Sequence, residues 1–122
     1  MRKAALWSPE RRDVIWIDFN PQSGNEMRDM HPMLVLSPKA FNERTGIVIG
    51  FPLTTAASNE TNPFAIKFTG SKGGVSYVLT HQPKSFDWRT RHAKPHPMKQ
   101  APSDVFAAAC ASLNQIVGLS DL

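Results

Sequence analysis

Apolar and polar positions along this chain fall into short blocks. Asp13-Val14-Ile15-Trp16-Ile17-Asp18-Phe19 is dense in β-branched and aromatic residues and is closed by Asn20-Pro21, which reads as a strand and its stop. Residues 20–32 then run polar, with Pro21, Gly24 and Pro32, as a long loop. Met33 to Ser37 is a continuous apolar strand halted by Pro38, residues 39–45 suit a short helical turn ending at Gly46, and Ile47 to Phe51 forms a third strand running into Pro52. Beyond a polar loop, Thr54 to Asn62, the segment Phe64-Ala65-Ile66-Lys67-Phe68 alternates with the period of a strand covered on one side. Gly73-Gly74 turns the chain into a further strand, Val75 to Thr80.

The end of the chain changes period. Val105, Phe106, Ala109, Leu113, Ile116 and Val117 recur at helical spacing, behind a start at Pro102-Ser103-Asp104 and ahead of a stop at Gly118. This predicts a C-terminal helix over about 103–118. Five or six short strands followed by one helix, without βαβ alternation, point to a small, strongly curved antiparallel sheet or barrel. Trp16 and Phe19 read as core residues, and Cys110, among alanines on the helix, as packing.

Length then bounds the picture: 122 residues fit one domain with one core. We read it as a basic N-terminal arm, 1–12, a barrel, 13–91, and the helix. A single cysteine excludes an intrachain disulfide and any multi-cysteine zinc site. No apolar run is long enough to span a membrane or to serve as a signal peptide, so the expected compartment is the cytoplasm. The net charge of +4 is unevenly placed: residues 1–12 carry +3 and residues 84–99 carry +4, with the remainder slightly acidic. Lys84, Arg89 and Arg91 flank Phe86 and Trp88, and cations interleaved with aromatics suit a single-stranded nucleic acid. Structurally, the same aromatics fit one buried strand face.

An ordered series of residues carries a resemblance. Asp13 to Pro21, then Gly24, Glu26 and Pro32, then the strand to Ser37-Pro38, resemble the opening of the MazF/PemK family of toxins. Phe41-Asn42, Pro52-Leu53-Thr54-Thr55, Asn62-Pro63-Phe64 and Gln82 to Arg91 agree in order and spacing, so that the likeness covers roughly residues 12–118. The resemblance implies a small SH3-like antiparallel β-barrel with a C-terminal helix. It implies a homodimeric, sequence-specific endoribonuclease acting on single-stranded RNA. It also implies a cognate antitoxin, whose acidic flexible segment would meet loops 20–32 and 54–62.

Metal-independent RNA cleavage uses the neighbouring 2′-hydroxyl as nucleophile. It needs a base for that proton, donors for the charged phosphorane and an acid for the leaving 5′-oxygen. Thr54 stands where the family places a phosphate-contacting threonine, and Glu26 stands at its loop glutamate. The chain departs from the family at His31-Pro32, where Arg-Pro is usual, and at His81-Gln82, where Asp-Gln is common. Arg28 is then the candidate for the missing positive charge, and two imidazoles, His31 and His81, form a candidate base–acid pair. A third departure is Arg12, where glycine is common. The expected catalytic set is therefore Thr54, His31, His81, Glu26 and Arg28, with Asn25, Thr55, Gln82, Lys84, Arg89 and Arg91 for RNA contact. His31, His81, His92 and His96 show no metal-ligand motif, and no cofactor or metal is expected. The competing readings are an RNA-binding module with weakened catalysis and an SH3-like peptide-binding domain.

Overall fold

The computed structural model describes residues 6–20 and 29–122. Seven antiparallel strands form a curled half-barrel: β1 (Asp13–Asp18), β2 (Met30–Val35), β3 (Ile47–Thr54), β4 (Ala65–Thr69), β5 (Val75–Leu79), β6 (Lys84–Asp87) and β7 (Lys94–Gln100). Helix α1 (Lys39–Thr45) joins β2 to β3, a 3-10 turn (Ala57–Thr61) precedes β4, and α2 (Ser103–Val117) follows β7. The strand order is β4-β5-β3-β2-β1-β7, with β6 also on β3.

The centre of the sheet is buried on both faces. Val14 and Leu34 point to one side, where Phe51, Leu53, Phe68 and Val78 meet Val105 and Ala109 of α2. Ile15, Ile17, Met33, Val35 and Val48 point to the other and pack on Trp88, with Phe86 and Phe19 at the margin. Two-sided burial explains why Met33-Leu34-Val35 is a continuous apolar run instead of an alternating one.

β3 is the pivot. Along one edge it pairs with β2, and along the other it pairs first with β6 and then with β5. Gly50 sits opposite both Val35 and Lys84, and a Cβ there would lie 2.2 Å from the Leu34 carbonyl oxygen, so no larger residue fits this crossing. β5 and β6 are two parts of one interrupted strand. Between the pairs Leu53↔Val78 and Gly50↔Lys84, β3 advances three residues while its partner advances six. The excess is an excursion around His81-Gln82-Pro83. β7 carries a similar one: between Asp13↔Gln100 and Ile15↔Pro95, β1 advances two residues and β7 five.

Several expectations from the sequence are corrected here. The barrel does not end at residue 91, because β7 pairs with β1. β2 begins at Met30, which takes His31 and Pro32 out of the loop and into the sheet. The polar stretch 54–62 contains a 3-10 turn. The helical stripe is covered as far as Leu113; Ile116 and Val117 are exposed. The basic arm is anchored at its end, with Ser8 and Pro9 buried and Arg12 N–H donating to the Val35 carbonyl.

The Phe41-Asn42 pair has a structural explanation. Asn42 is fully buried, donates to the carbonyls of Pro9 (2.9 Å) and Ser37 (3.0 Å), and accepts from Ser37 Oγ (2.6 Å). Its own carbonyl accepts from Trp88 Nε1 at 2.8 Å. One residue, through its side-chain amide and its backbone carbonyl, thus ties the N-terminal segment, the end of β2 and the second apolar cluster together.

Candidate active site

The inner face of the sheet opens into a cleft of about 410 Å³. β1 contributes Trp16, β2 His31 and Pro32, β3 Leu53 and Thr54 with Thr55 following, β5 Ser76, and β7 His96 and Met98. Register explains much of this convergence: Trp16 pairs with Pro32 on one side and with Lys94 on the other, and Thr54 pairs with Tyr77 beside Ser76. A second hollow of about 250 Å³ adjoins it, sharing Thr55, Ser76, His96 and Met98 and reaching the β4–β5 hairpin at Gly70–Gly74.

His31 is half-exposed, and its Nε2 lies 2.5 Å from Asp29 Oδ1. A carboxylate accepts, so Nε2 carries the proton and Nδ1 of the neutral ring is left as the basic nitrogen. The ring also meets Phe19 edge-on at 5.5 Å. Thr54 Oγ1 accepts from Ala56 N–H at 3.1 Å, the local bond that a strand-end threonine makes. That bond uses an acceptor site and leaves the hydroxyl proton for another group in the cleft. The segment after Thr54 is pinned by Glu60, which accepts from Tyr77 Oη (2.6 Å) and Lys67 Nζ (2.9 Å). The Tyr77 hydrogen bond, then that of Lys67, lower the Glu60 pKa below its ordinary value.

His96 is the cleft residue that the sequence reading passed over. Its ring lies 4.6 Å from Trp16, and its Nδ1 accepts from Met98 N–H at 3.0 Å. Burial lowers its pKa. Pro95 and Pro97 signal that this stretch is not helical, but nothing in one dimension places it in the same cleft as His31. Trp16, expected in the core, is half-buried and lines the cleft.

Other expected site residues are not brought to this cleft. His81 stacks on Phe64 at 5.4 Å and accepts from the Gln82 amide at 3.2 Å, on the excursion between β5 and β6. The paired imidazoles His31 and His81 are therefore not assembled within the chain; the second imidazole in the cleft is His96. Arg89 donates to the Glu43 carbonyl at 2.9 Å and lies over Trp88, while Arg91 donates to the carbonyls of Asp18 and Asn20 and lies over Phe86. Both arginines hold the fold together. Lys84 is exposed on β6. Asn25, Glu26 and Arg28 lie outside the described residues. Among the described residues, no three His, Cys, Asp or Glu side chains converge in a way that could hold a metal ion.

Arg12, the position where glycine was anticipated, has φ +77°, a left-handed backbone that glycine adopts without strain. The structure thus gives the physical reason for that preference.

A curled antiparallel half-barrel with one C-terminal helix, carrying imidazole and hydroxyl groups in a cleft of ligand size, defines a small β protein with a candidate active site on its sheet. The profile of the PemK-like, MazF-like toxins of type II toxin–antitoxin systems matches residues 10–117. The endoribonuclease toxin MazF of Escherichia coli K12 is 38% identical over 86 residues, covering 70% of this chain and 74% of that protein. The crystal structure of MazF from Deinococcus radiodurans superposes with a TM-score of 0.78 at 34% identity, covering 93% of this chain and 99% of that one. The MazE–MazF complex of the same organism gives 0.80, also at 34% identity, over 93% and 98%. The chain belongs to the PemK/MazF family of toxins.

Proposed function

We propose that this protein is the toxin of a type II toxin–antitoxin pair, an endoribonuclease that cuts single-stranded RNA at specific sequences without a metal. The observation that carries the catalytic reading is the convergence of His31 and Thr54 in one cleft, with Asp29 fixing the proton of His31 on Nε2. The likeness to proteins named endoribonuclease MazF and PemK supports the reaction class. In this reading His31 Nδ1 takes the proton of the 2′-hydroxyl, and the oxygen attacks the adjacent phosphorus. The P–O5′ bond breaks and the 5′-oxygen takes a proton from water, producing a 2′,3′-cyclic phosphate and a 5′-hydroxyl. Thr54 Oγ1 donates to a phosphate oxygen as charge develops. Arg28 supplies positive charge and Glu26 is a proton-transfer candidate, both preceding β2 in the sequence. His81, outside the cleft, receives no proton-transfer role; with Gln82 on the excursion and Lys84 at the start of β6 it forms RNA-contact surface.

We assign the protein to the cytoplasm; no helix among the described residues is long and apolar enough to cross a membrane. Its partner is an antitoxin, as in the MazE–MazF structures that this chain resembles. The assembly we assign is a two-fold dimer, which presents the same face from each protomer. Light scattering should give about twice the chain mass at concentrations where RNA is cut. Incubation with long RNA in EDTA tests the activity. Discrete cuts ending in cyclic phosphate support it, binding without cutting supports the RNA-binding module, and no interaction with RNA supports the peptide-binding domain. A 2′-deoxy nucleotide at the cut site should block cleavage.

A further inference from the structure

His96 occupies a place that the proposed chemistry leaves unused. It sits on the three-residue excursion of β7, at the junction of the main cleft and the hollow beside the β4–β5 hairpin. Two contacts and one open nitrogen define its state. The Met98 N–H points at Nδ1 from 3.0 Å, so that nitrogen holds a lone pair and the neutral ring carries its proton on Nε2. Trp16 packs against the ring at 4.6 Å and restricts its orientation. Nε2 has no hydrogen-bond partner among the described residues and is not buried, so its N–H is open to a ligand.

A second proton could enter the ring only at Nδ1, where it would collide with the Met98 N–H. Partial burial acts in the same direction, lowering the His96 pKa. A histidine held neutral is a poor general acid and a weak partner for a phosphate charge. It is a directional single donor. The neighbouring surface, Trp16, Leu53 and Met98, is apolar and aromatic, which suits the flat face of a base better than a phosphate.

We propose that His96 is a specificity residue of the RNA cleft, donating its Nε2–H to an acceptor atom on the base of a nucleotide seated beside Thr54. The inference rests on the endoribonuclease reading and deepens it: His31 and Thr54 act on the phosphodiester, and His96 reads the base next to it. The excursion of β7 is then what carries an imidazole across the sheet edge to meet the substrate.

The test compares the full-length protein with His96→Phe and His96→Gln on a pool of randomised RNA, mapping the cut ends by sequencing. The wild type should show a base preference at positions flanking the cut. His96→Phe, which keeps a flat ring without the donor, should flatten that preference at one position and slow the best wild-type site by about 10-fold. His96→Gln, which keeps an N–H donor, should retain more of it. An unchanged cut profile in His96→Phe overturns the proposal, as does an equal slowing at every sequence, the outcome expected of a phosphate contact or a collapsed excursion. If the wild type cuts no RNA, the endoribonuclease reading fails first and the inference falls with it. Imidazole nitrogen NMR on the wild type is independent of whether variants fold. It should show the Nε2–H form of His96 and a shift of that signal when an oligonucleotide carrying the cut site with a 2′-deoxy block is added. The Nδ1–H form, or no shift on binding, would refute the proposal.

Discussion

Asp29 and His31 stand two residues apart at the start of β2, joined by a 2.5 Å hydrogen bond from His31 Nε2 to Asp29 Oδ1. The bond fixes which imidazole nitrogen is basic, while the edge of Phe19 fixes the plane of the ring. The pair therefore has the form of a base and its orienting carboxylate, which is how a neutral imidazole is readied to take a hydroxyl proton.

His31→Ala should lower the RNA cleavage rate by about 10²-fold, the ordinary scale for losing a general base. Asp29→Asn should lower kcat by at least about 10-fold with little change in KM, because an amide can hold the ring with the wrong nitrogen protonated. His81→Ala, outside the cleft, should fall well short of either. Single-turnover cleavage of one defined RNA measures all three. Equal losses for His31→Ala and His81→Ala would return His81 to the proton-transfer chemistry.

Thr54→Ala should lower the cleavage rate by about 10- to 100-fold, and Thr54→Ser should keep most of it, since the donor is the hydroxyl. Thermal unfolding should separate this from a structural effect: the bond lost to Ala56 N–H is exposed, and its loss should cost less than about 1 kcal/mol. A threonine serving the local turn alone would leave cleavage unchanged in both variants.

Arg12→Gly should stabilise the fold by about 1 kcal/mol, seen as a rise of a few degrees in Tm. It relieves the left-handed backbone at φ +77° and removes a buried Nε that has no hydrogen-bond partner among the described residues. It forfeits one exposed hydrogen bond from Arg12 Nη2 to Gln100, a smaller loss. A fall in Tm would show that this bond outweighs the backbone strain.

Asn42→Ala should cost about 2–4 kcal/mol in denaturant unfolding, because it strands the carbonyls of Pro9 and Ser37 in a buried setting, while the Ser37 hydroxyl keeps its bonds to the Ile49 backbone. A loss under about 1 kcal/mol would show that water reaches these groups when the amide is removed.

Glu60 has a pKa lowered by Tyr77 and Lys67, so its contribution to stability is present above the ordinary carboxylate range and is lost as pH falls through the lower folded value. Hydrogen exchange should show residues 57–61 loosening in acid. Glu60→Gln should remove that acid dependence, and an unchanged pH profile would show that the turn is held by other contacts.

The element types were legible wherever local chemistry decides them. β-branched density marked β1, Gly46 and Gly118 closed the two helices with left-handed caps, and the strand-then-helix order pointed to a curved antiparallel sheet. The ordered residue series identified the family before any coordinate was needed. His31, Thr54 and Thr55 were named as site residues from the chain alone, and the fold gathers these three into one cleft.

What only the tertiary structure decided concerns register and side-chain direction. β6 and β7 lack apolar alternation because their partners, not their own sequences, create them: β7 exists by pairing with β1 across some eighty residues of chain. The excursions on β5–β6 and β7 are differences in count between two paired strands, and no single strand contains that information. One of them carries His81 out onto Phe64, and the other carries His96 in beside Trp16. Arg89 and Arg91 look like RNA contacts by composition, yet backbone carbonyls of distant residues claim both guanidinium groups. Sequence supplies the residue types and the local propensities. Which imidazole shares a cleft with which hydroxyl is set by long-range pairing, where a shift of one residue turns a side chain to the opposite face of the sheet.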